Sequence, residues 1–496
     1  MKKLFKYFAI LFFFIGLIFT SYMLLGRPGG GHSYSGGSYG DGGGGDGSGL
    51  ASLIVWVFFD LLPPEVSIPL LILLFIGYKI YEKKHKYDTS HILSSPSYEN
   101  IIEDLKHKSA VINQIKNLDP NFSRIIFLDF VHLLYTKYYA LVGNPTQRKT
   151  LIPFFANSEL LKKQALINGK ISEVVVGSLD IKEAQITDTN LILTVQINAN
   201  YTLTVKDKST RYIVKERWKL SRDKNLLSPE PEKMQTLRCP KCGAPADFND
   251  AGYCNSCGEL IVPGKHQWSV LNIAVIQVET LRTTFLTGYS YERGTELPTI
   301  FDPNLQENIQ IFARAHNVNF SEYWQKFENK VVRPYFFEIY KHWSQLKWNK
   351  VRHLLTDRLW EAFNFWIEAY KQAGLQNKLD DTQIEKVILT KLEIDKFYEA
   401  FTVRIFAKSK DYIVNKQGKV IAGYNRAYRY FSEYWTFIRR AGVENDDYDM
   451  KTCPNCGAPA DKIGQSGICE YCGAKITTGE FSWVLAIITQ DEEYTG

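Results

Sequence analysis

Eight cysteines constrain this chain more than any other feature, because all of them fall in two compact clusters of four. The first cluster is Cys239, Cys242, Cys254 and Cys257, and the second is Cys453, Cys456, Cys469 and Cys472. Each cluster consists of two Cys-x-x-Cys motifs, separated by 11 residues in the first cluster and 12 in the second. Zn²⁺ prefers four tetrahedral ligands, and each such motif supplies two thiolates. The spacing therefore predicts two zinc ribbons, residues 239–257 and 453–472, with one structural zinc ion in each.

Other uses of the cysteines are less compatible with this pattern. Four disulfides, an iron site and a redox dithiol are the alternatives, but paired Cys-x-x-Cys motifs favour zinc. Four thiolates leave no open coordination position, so catalysis at the metal is not expected. Thiolates persist best in a reducing compartment, which favours the cytosolic side of a membrane.

Nucleic acid is not an expected partner, although many zinc ribbons bind it. The ribbon loops contain Asp247, Asp250, Glu259 and Glu470 and carry no basic stripe. The formal net charge is only +6, from 59 basic and 53 acidic residues. An excess that small does not indicate a protein that wraps a polyanion.

Two apolar segments near the N-terminus predict membrane helices. Residues 1–25 contain an apolar run of 19 residues from Tyr7 to Leu25, close to the length of roughly 20 that crosses a bilayer. We interpret this segment as an uncleaved signal anchor, with a cleaved signal peptide as the alternative. Residues 50–82 form the second membrane segment. Between them, residues 26–49 include 13 glycines among 24 residues and predict a flexible extracytoplasmic loop.

The distribution of lysines predicts the orientation of these segments. Lys2, Lys3 and Lys6 precede the first segment, Lys83, Lys84 and Lys86 follow the second, and the glycine-rich loop has one basic residue, Arg27. The positive-inside rule then places both ends in the cytoplasm. We predict a multi-pass protein of the cell (inner) membrane with a cytoplasmic C-terminal part. A third span at Leu50–Leu62 would invert this topology, but Asp60 and a Pro-Pro pair argue against it.

The part after residue 95 contains two stretches with the same ordered motifs. Each opens with Asn-Phe-Ser, continues with Glu-x-Trp-x-[Leu/Phe]-x-Arg and Cys-Pro-x-Cys-Gly-Ala-Pro-Ala-Asp, and ends with a Trp eleven residues past the last Cys. The second of these motifs is Glu216–Arg222 in one stretch and Glu433–Arg439 in the other. We therefore predict an internal repeat, with copies at 97–282 and 300–496.

Each copy begins with helical periodicity and continues with alternation typical of strands. Leu359, Phe363, Trp366 and Tyr370 step by four, three and four and define one helix face, which we interpret as core. Residues 191–205 alternate between apolar and polar side chains. Helices followed by long antiparallel strands predict an α+β fold with the helices on one face of a sheet.

No arrangement of residues indicates catalysis, so we do not expect an enzyme. The nine histidines are scattered, without metal-binding or triad spacing. The acidic pairs Asp380–Asp381 and Asp446–Asp447 are interpreted as solvated loop residues.

On these motifs, the chain resembles bacterial proteins with a Tim44-like domain. The resemblance rests on the glycine-rich loop between apolar segments, the Glu-x-Trp-x-Phe-x-Arg strand, the CPNCGAP…CEYCG ribbon and the closing Trp-Val-Leu. It covers most of the chain and is stronger in the second repeat, because Lys215 and Lys219 replace aromatic residues in the first. The family is similar to the C-terminal domain of the mitochondrial inner-membrane import subunit of that name.

The resemblance implies a fold and a role. It implies two nuclear-transport-factor-two-like cone domains, contact with anionic lipid, and scaffolding of other proteins at a membrane. We therefore expect a membrane-anchored cytoplasmic scaffold or adaptor, linked to protein transport or membrane-associated assembly, with protein partners that the sequence does not name. A small-ligand-binding or enzymatic cone protein is one alternative, which a polar cone interior with a shifted carboxylic acid would favour. A zinc-ribbon nucleic-acid binder is the other, which a continuous basic face would favour.

Overall fold

Each half of the described chain begins with helices and continues with antiparallel strands, as the sequence predicts. The computed structural model describes residues 98–234, 236–280, 294–444, 449–491, 494 and 496. We refer to residues 98–280 as the first half and 294–496 as the second half. The predicted membrane segments and glycine-rich loop lie outside these residues. Among the helices that are described, none combines the length and the apolar character needed to cross a membrane.

The first half forms a four-stranded antiparallel sheet in the order β1-β2-β3-β4. Its helices are α1 (Tyr98–Leu118), α2 (Arg124–Tyr139), α3 (Arg148–Leu151) and α4 (Ser158–Ala165). Its strands are β1 (Lys170–Ile186), β2 (Asn190–Val205), β3 (Lys208–Asp223) and β4 (Ser269–Thr280). The first cysteine cluster lies in the connection between β3 and β4.

The second half repeats this order of elements, with one added strand. Its helices are α5 (Leu305–His316), α6 (Phe320–Phe327), α7 (Arg333–Ser344) and α8 (Asp357–Ala373). Its strands are β5 (Leu375–Ile394), β6 (Tyr398–Asn415), β7 (Val420–Gly423), β8 (Arg429–Arg440) and β9 (Val484–Gln490). The strands pair in the order β5-β6-β8-β9, and β7 pairs with β6. The second cysteine cluster lies between β8 and β9, so both clusters connect the last two strands of their sheets.

Short 3-10 and π segments complete the helical structure. The 3-10 turns are Pro145–Gln147, Ile152–Phe154, Pro231–Lys233, Gly294–Glu296, Trp348–Leu354, Ala460–Lys462 and Ile476–Thr478, and a π turn at Glu328–Val332 joins α6 to α7.

The two Asn-Phe-Ser motifs do open helices, but different residues of the motif form the caps. The Ser123 hydroxyl accepts a hydrogen bond from the Ile126 backbone N–H at the start of α2. In the second motif, the side chain of Asn319 accepts from the backbone N–H of Ser321 at the start of α6. Both caps satisfy amide donors that the first helical turn leaves unpaired.

The predicted core faces are confirmed. Leu359, Phe363, Trp366 and Tyr370 are all buried along α8. The alternating apolar residues of β2, which are Leu191, Leu193, Val195, Ile197 and Ala199, are fully buried against the helices of the first half. The aromatic helix face is thus part of a packed core.

One loop prediction is wrong. Asp380 and Asp381 lie inside β5, where the register against β6 shifts between Asp380 and Gln383. Asp381 has a φ of 52°, so the strand bulges at this point. The bulge lets both carboxylates reach cations and hydroxyls of β6, with Asp381 paired to Lys410 and Asp380 accepting from the Tyr412 hydroxyl at 2.5 Å. The polar run resembles a loop in sequence because bulges break the alternation of a strand. The other pair, Asp446–Asp447, lies outside the described residues.

The two halves pack into each other, and α2 contributes to both. Tyr398, Ala400, Ile438 and Ala486 of the second half belong to the same buried cluster as the apolar side chains of α2. Arg124 of α2 also donates two hydrogen bonds to Glu393 of β5, at 3.1 and 2.5 Å. The first half therefore covers part of the side of the second sheet that faces away from its own helices.

Helix α8 makes the reciprocal contact. It packs on β5 and β9 of its own half and on β1 of the first half. The Arg211 guanidinium lies 3.5 Å from the centroid of the Phe365 ring of α8. Val175 of β1 belongs to the buried cluster of the second half. Each half thus buries part of the other's sheet.

Candidate functional site

The four cysteines of each cluster converge on a single point. Within each cluster the sulfur atoms all lie within 4.8 Å of one another. The Sγ atoms of Cys239 and Cys257 are 4.0 Å apart, and those of Cys456 and Cys469 are 3.8 Å apart. Four thiolates around Zn²⁺ at about 2.3 Å would be separated by roughly 3.8 Å from one another. Both clusters could hold a metal ion, and all eight cysteines predicted as ligands belong to them.

All four Cys-x-x-Cys turns are built in the same way. The first Cys of each turn accepts a hydrogen bond at its carbonyl from the Gly four residues later and donates its own N–H to the carbonyl five residues later. Gly243 is an example, with a φ of 73° and no atom within 4 Å of an added Cβ. The glycine is therefore needed for its backbone conformation and not for lack of space. This geometry presents both sulfur atoms to one side, as a metal requires.

The electrostatic environment divides the thiols into two kinds. Burial raises the pKa of Cys239 and of Cys453 to about 12. The Ala474 backbone N–H and the Asn455 side chain lower the pKa of Cys472 to about 6. Because a metal ligand must be a thiolate, metal binding at such a cluster releases protons and becomes weaker at low pH.

The second ribbon is attached to α8 through Asp357. The Asp357 carboxylate accepts from the Thr477 hydroxyl at 2.8 Å and from Lys475 Nζ at 2.6 Å. Arg352, which also pairs with Asp357, donates from Nε to the Gln465 carbonyl at 2.7 Å. Burial raises the pKa of Asp357, but Arg352 and Lys475 more than offset this and lower it below its usual value. The ribbon and the first turn of α8 therefore share one ionic network.

The first ribbon is held by more exposed ion pairs. Arg148 Nη2 contacts Asp250 Oδ1 at 2.6 Å, and Asp250 is 70% exposed. Lys241, next to a cysteine ligand, pairs with Glu259 at 2.7 Å. These acidic partners neutralise Arg148 and Lys241, an arrangement that differs from the continuous basic face expected of a nucleic-acid binder.

The Glu-x-Trp motif forms a buried hydrogen-bonded unit in the first half. Glu216 lies on β3 and is 1% exposed. Its carboxylate accepts from the Tyr139 hydroxyl of α2 and, at 2.7 Å, from the indole N–H of Trp218. Burial raises the pKa of Glu216 above its usual value, an effect that the two donors partly offset. The carboxylate thus joins the helix to the sheet.

The second half contains the same unit. The Tyr340 hydroxyl of α7 donates to Glu433 at 2.9 Å, and the indole N–H of Trp435 donates at 2.8 Å. Glu433 is fully buried. Each carboxylate oxygen of both glutamates therefore accepts a hydrogen bond, which is how a buried carboxylate is stabilised.

The arginine that ends the motif is also buried, and it contacts the tryptophan that follows each ribbon. The Arg222 guanidinium lies 4.6 Å from the Trp268 ring centroid, and its Nη2 is 2.6 Å from Asp119. Arg439 lies at the same 4.6 Å from Trp483, and Glu399 is its counter-ion at 2.9 Å. Two motifs that are far apart in sequence thus meet where each ribbon rejoins its sheet.

Sequence reasoning missed the partners of these motifs. Tyr139 and Tyr340 lie 18 and 21 residues after the Asn of their Asn-Phe-Ser motifs, so no fixed spacing identifies them. Asp119 precedes α2, whereas Glu399 lies on β6, so the two arginines take their counter-ions from different elements. Helical and strand periodicity do not indicate hydrogen bonds or ion pairs between residues that are far apart in sequence.

The raised pKa of Glu216 is the feature expected of a ligand-binding cone. Its two oxygens, however, are occupied by Tyr139 and Trp218. Two small clefts among the described residues lie elsewhere, between the two halves, and are partly open to solvent. We therefore assign the buried glutamates a structural role.

Comparison with known proteins supports the predicted family resemblance for one part of the chain. Residues 317–451 match the family model of the Tim44-like domain. The matched range extends from the end of α5 through β8 and includes Glu433 and Arg439. It ends two residues before Cys453, so the first half and both cysteine clusters lie outside it. A search of curated proteins found no match.

Proposed function

We propose that this protein is a membrane-anchored cytoplasmic scaffold built from two copies of one cone-shaped unit, each with a structural zinc ribbon. The observation that carries the proposal is the match of residues 317–451 to the Tim44-like domain. That domain suggests association with a membrane and with other proteins, in protein transport or a related assembly. The proposal extends the role to the first half because corresponding motifs occupy corresponding positions there.

Zinc is the metal proposed for both clusters. Four thiolates at tetrahedral spacing suit Zn²⁺ and leave no position for substrate, so each ion would act as a structural link between the last two strands of a sheet. Metal binding would then contribute directly to the stability of the ribbons.

The proposed scaffold has no catalytic activity. The buried glutamates of both motifs bind tyrosine and tryptophan side chains of the same half, and the arginines pair with buried acids. These groups stabilise the interior, so the proposal assigns the binding of protein partners to surface residues. Contact with anionic lipid is part of the proposal, with an attraction of about 1 kcal/mol for each well-placed Lys or Arg.

The topology is proposed from the lysine-rich flanks of the two apolar segments. The lysines after residue 82 would hold both halves near the cytoplasmic leaflet of the inner membrane. Protease added to spheroplasts should therefore leave residues beyond about 90 intact, and digestion of either half would contradict the orientation.

An anchor exchange combined with in-cell crosslinking tests the scaffold role. Residues 1–82 are replaced by an unrelated two-span anchor of the same topology, and crosslinked partners are compared with those of the unaltered protein. We expect the same partners in both samples, because the proposal assigns the contacts to the two halves. A soluble version without any anchor serves as the control for localisation. Loss of all partners from the exchanged protein would assign the interaction to the apolar segments and the glycine-rich loop.

A further inference from the structure

Strand β3 of the first half carries three cations on the face of the sheet opposite its buried glutamate. Lys215, Arg217 and Lys219 lie at alternate positions of β3, and Arg217 and Lys219 are exposed while Lys215 is half-buried. Glu216 and Trp218, which lie between them, are at most 1% exposed and belong to the interior. Because successive side chains of a strand point to opposite faces, the three cations share the outer face of the sheet. We call these three residues the cationic row.

The chain itself does not neutralise the cationic row. Within the part of the chain that the structure describes, the three side chains have no carboxylate partner. Other cations of the first sheet do, since Lys182 pairs with Asp180 at 2.6 Å and Arg211 with Glu173 at 2.8 Å. Side chains two residues apart on a strand are separated by about 6.6 Å, which is less than the Debye length of about 8 Å at physiological salt. The three charges therefore act together and attract an anionic partner.

The residues beside the row indicate which kind of anion it suits. A single-stranded nucleic acid binds by stacking bases on aromatic side chains, and contact with a bilayer favours interfacial Trp or Tyr or an apolar face. The six positions that pair with the row are instead amide, hydroxyl or small side chains, and amides can donate to and accept from peptide groups. These neighbours favour a protein segment. They are Asn198, Gln196 and Thr194 on β2, and Gln277, Ala274 and Asn272 on β4.

The one acidic residue of β4 does not remove this preference. Glu279 lies near the end of the strand and accepts a hydrogen bond from the Gln277 side chain at 2.6 Å. It pairs across the strands with Ile213, one position beyond the row on the same face. The row therefore has a net positive charge even when Glu279 is counted.

The second half shows the same face when other parts of the chain cover it. The shared Glu-x-Trp motif aligns Ser432, Tyr434 and Thr436 of β8 with the three residues of the row. All three are buried, at most 8% exposed, and Tyr434 stacks on Tyr494 at 3.6 Å between ring centroids. The covered face is thus uncharged at these positions, whereas the open face of the first half carries three charges. Packing within the chain explains the first arrangement and not the second.

An extended protein segment matches the spacing of the row. Its side chains recur on one face at the same interval of about 6.6 Å, so acidic residues at every second position would place one carboxylate over each cation. An exposed ion pair increases affinity by only about two- to fivefold, so the contact needs all three pairs and weakens with salt.

We propose that the cationic row binds an extended acidic segment of a partner protein, with carboxylates at alternate positions paired to Lys215, Arg217 and Lys219. The amide side chains beside the row hydrogen-bond to the peptide groups of that segment. The inference rests on the proposed scaffold function and specifies the chemistry of one partner.

Binding is tested with the full-length protein in non-ionic detergent, using a fluorescein-labelled peptide of repeated Glu-Ser units as the probe. Fluorescence anisotropy is recorded at low ionic strength and at about 0.15 M salt. We expect saturable binding that weakens as salt is added. A peptide of repeated Gln-Ser units, which has the same length and no charge, should not bind.

Variants of the row assign the site. The combined substitution Lys215→Gln, Arg217→Gln and Lys219→Gln should weaken binding of the Glu-Ser peptide about tenfold or more. The reversed combination Lys215→Glu, Arg217→Glu and Lys219→Glu should abolish that binding and create binding of a Lys-Ser peptide. A variant that was merely damaged would not gain a ligand of the opposite charge.

A matched control separates the row from the net charge of the protein. Lys416→Gln, Lys419→Gln and Arg426→Gln together remove three exposed cations of the second half. This variant loses as much charge as the glutamine variant of the row, and its affinity for the Glu-Ser peptide should stay within about twofold of that of the unaltered protein.

Equal affinity of the row and control variants for the Glu-Ser peptide would overturn the proposal, as would the absence of saturable binding by the unaltered protein. Vesicles containing phosphatidylglycerol and an oligothymidylate are measured alongside. If the row variant lost binding to either of these and kept binding to the peptide, the row would be a lipid or nucleic-acid site instead. The anchor exchange leaves the row intact, so retained crosslinked partners would support the scaffold even if the peptide did not bind.

Discussion

The Tyr340–Glu433 hydrogen bond offers a direct measure of what the buried motif contributes. Tyr340→Phe removes only the hydroxyl, and the ring can keep its stacking on Phe336 at 4.2 Å. The hydroxyl donates to Glu433 at 2.9 Å, and Glu433 is 0% exposed. Water therefore cannot replace the lost donor without opening the core.

The expected cost follows from this geometry. A hydrogen bond to a charged group contributes about 1.5–3 kcal/mol, and the substitution leaves a buried carboxylate oxygen that has lost this donor. We therefore expect the free energy of unfolding to fall by about 2 kcal/mol, which is large for the loss of one oxygen atom. Tyr424→Phe is the matched control, because Tyr424 is 68% exposed and its hydroxyl can bind water.

The assay is urea unfolding of the full-length protein in detergent, monitored by tryptophan fluorescence. Trp435, which donates to the same carboxylate, is one of the ten tryptophans that contribute to this signal. Tyr139→Phe tests the corresponding unit in the first half and should give a similar loss. If Tyr340→Phe and Tyr424→Phe differed by less than about 0.5 kcal/mol, the hydrogen bond would not stabilise the fold and the structural role of the motif would be refuted.

Three further predictions concern the metal clusters and the contact between the halves. Elemental analysis under reducing conditions should give two zinc ions per chain, and Cys453→Ser should remove one of them and unfold its own ribbon first; a metal content below one per chain would contradict this. Asp357→Asn should increase hydrogen exchange in the ribbon that contains Cys453 and leave the other unchanged, because Asp357 of α8 is bonded to Lys475 and Thr477 beside the second cluster; equal changes in both would disprove the link. Burial raises the pKa of Glu393, but Arg124 and Lys391 lower it from 4.5 to about 2, so this carboxylate adds stability that is complete above pH 4.5 and is lost as the pH falls toward 2. Arg124→Gln should therefore reduce the loss of stability on acidification, measured as the urea midpoint between pH 5 and pH 2, and an unchanged pH dependence would argue against the ion pair.

The sequence by itself determined the features that depend on residues close together along the chain. Each Cys-x-x-Cys turn needs only six consecutive residues, so the spacing of the cysteines was enough to predict two four-thiolate clusters. The core face of α8 and the alternation in β2 follow from the periods of a helix and a strand. The α+β class and the order of elements were therefore predictable, and so was the Tim44-like resemblance of the second half.

The tertiary structure decided which polar residues are buried. Thr402 and Arg404 occupy polar positions of β6, which alternation predicts to face solvent, yet both are at most 2% exposed. They are buried because other parts of the chain cover the far side of the second sheet. Alternation describes one strand, whereas burial depends on what packs on each face of the sheet.

Long-range pairing is the second feature that only the folded chain reveals. Arg222 and Asp119 are 103 residues apart, and Arg124 and Glu393 are 269 residues apart. Neither the helical nor the strand period connects such residues, so sequence patterns do not indicate which acid pairs with which arginine. The packing of α2 and α8 between the two sheets has the same origin, because it depends on the complementary shapes of two distant surfaces.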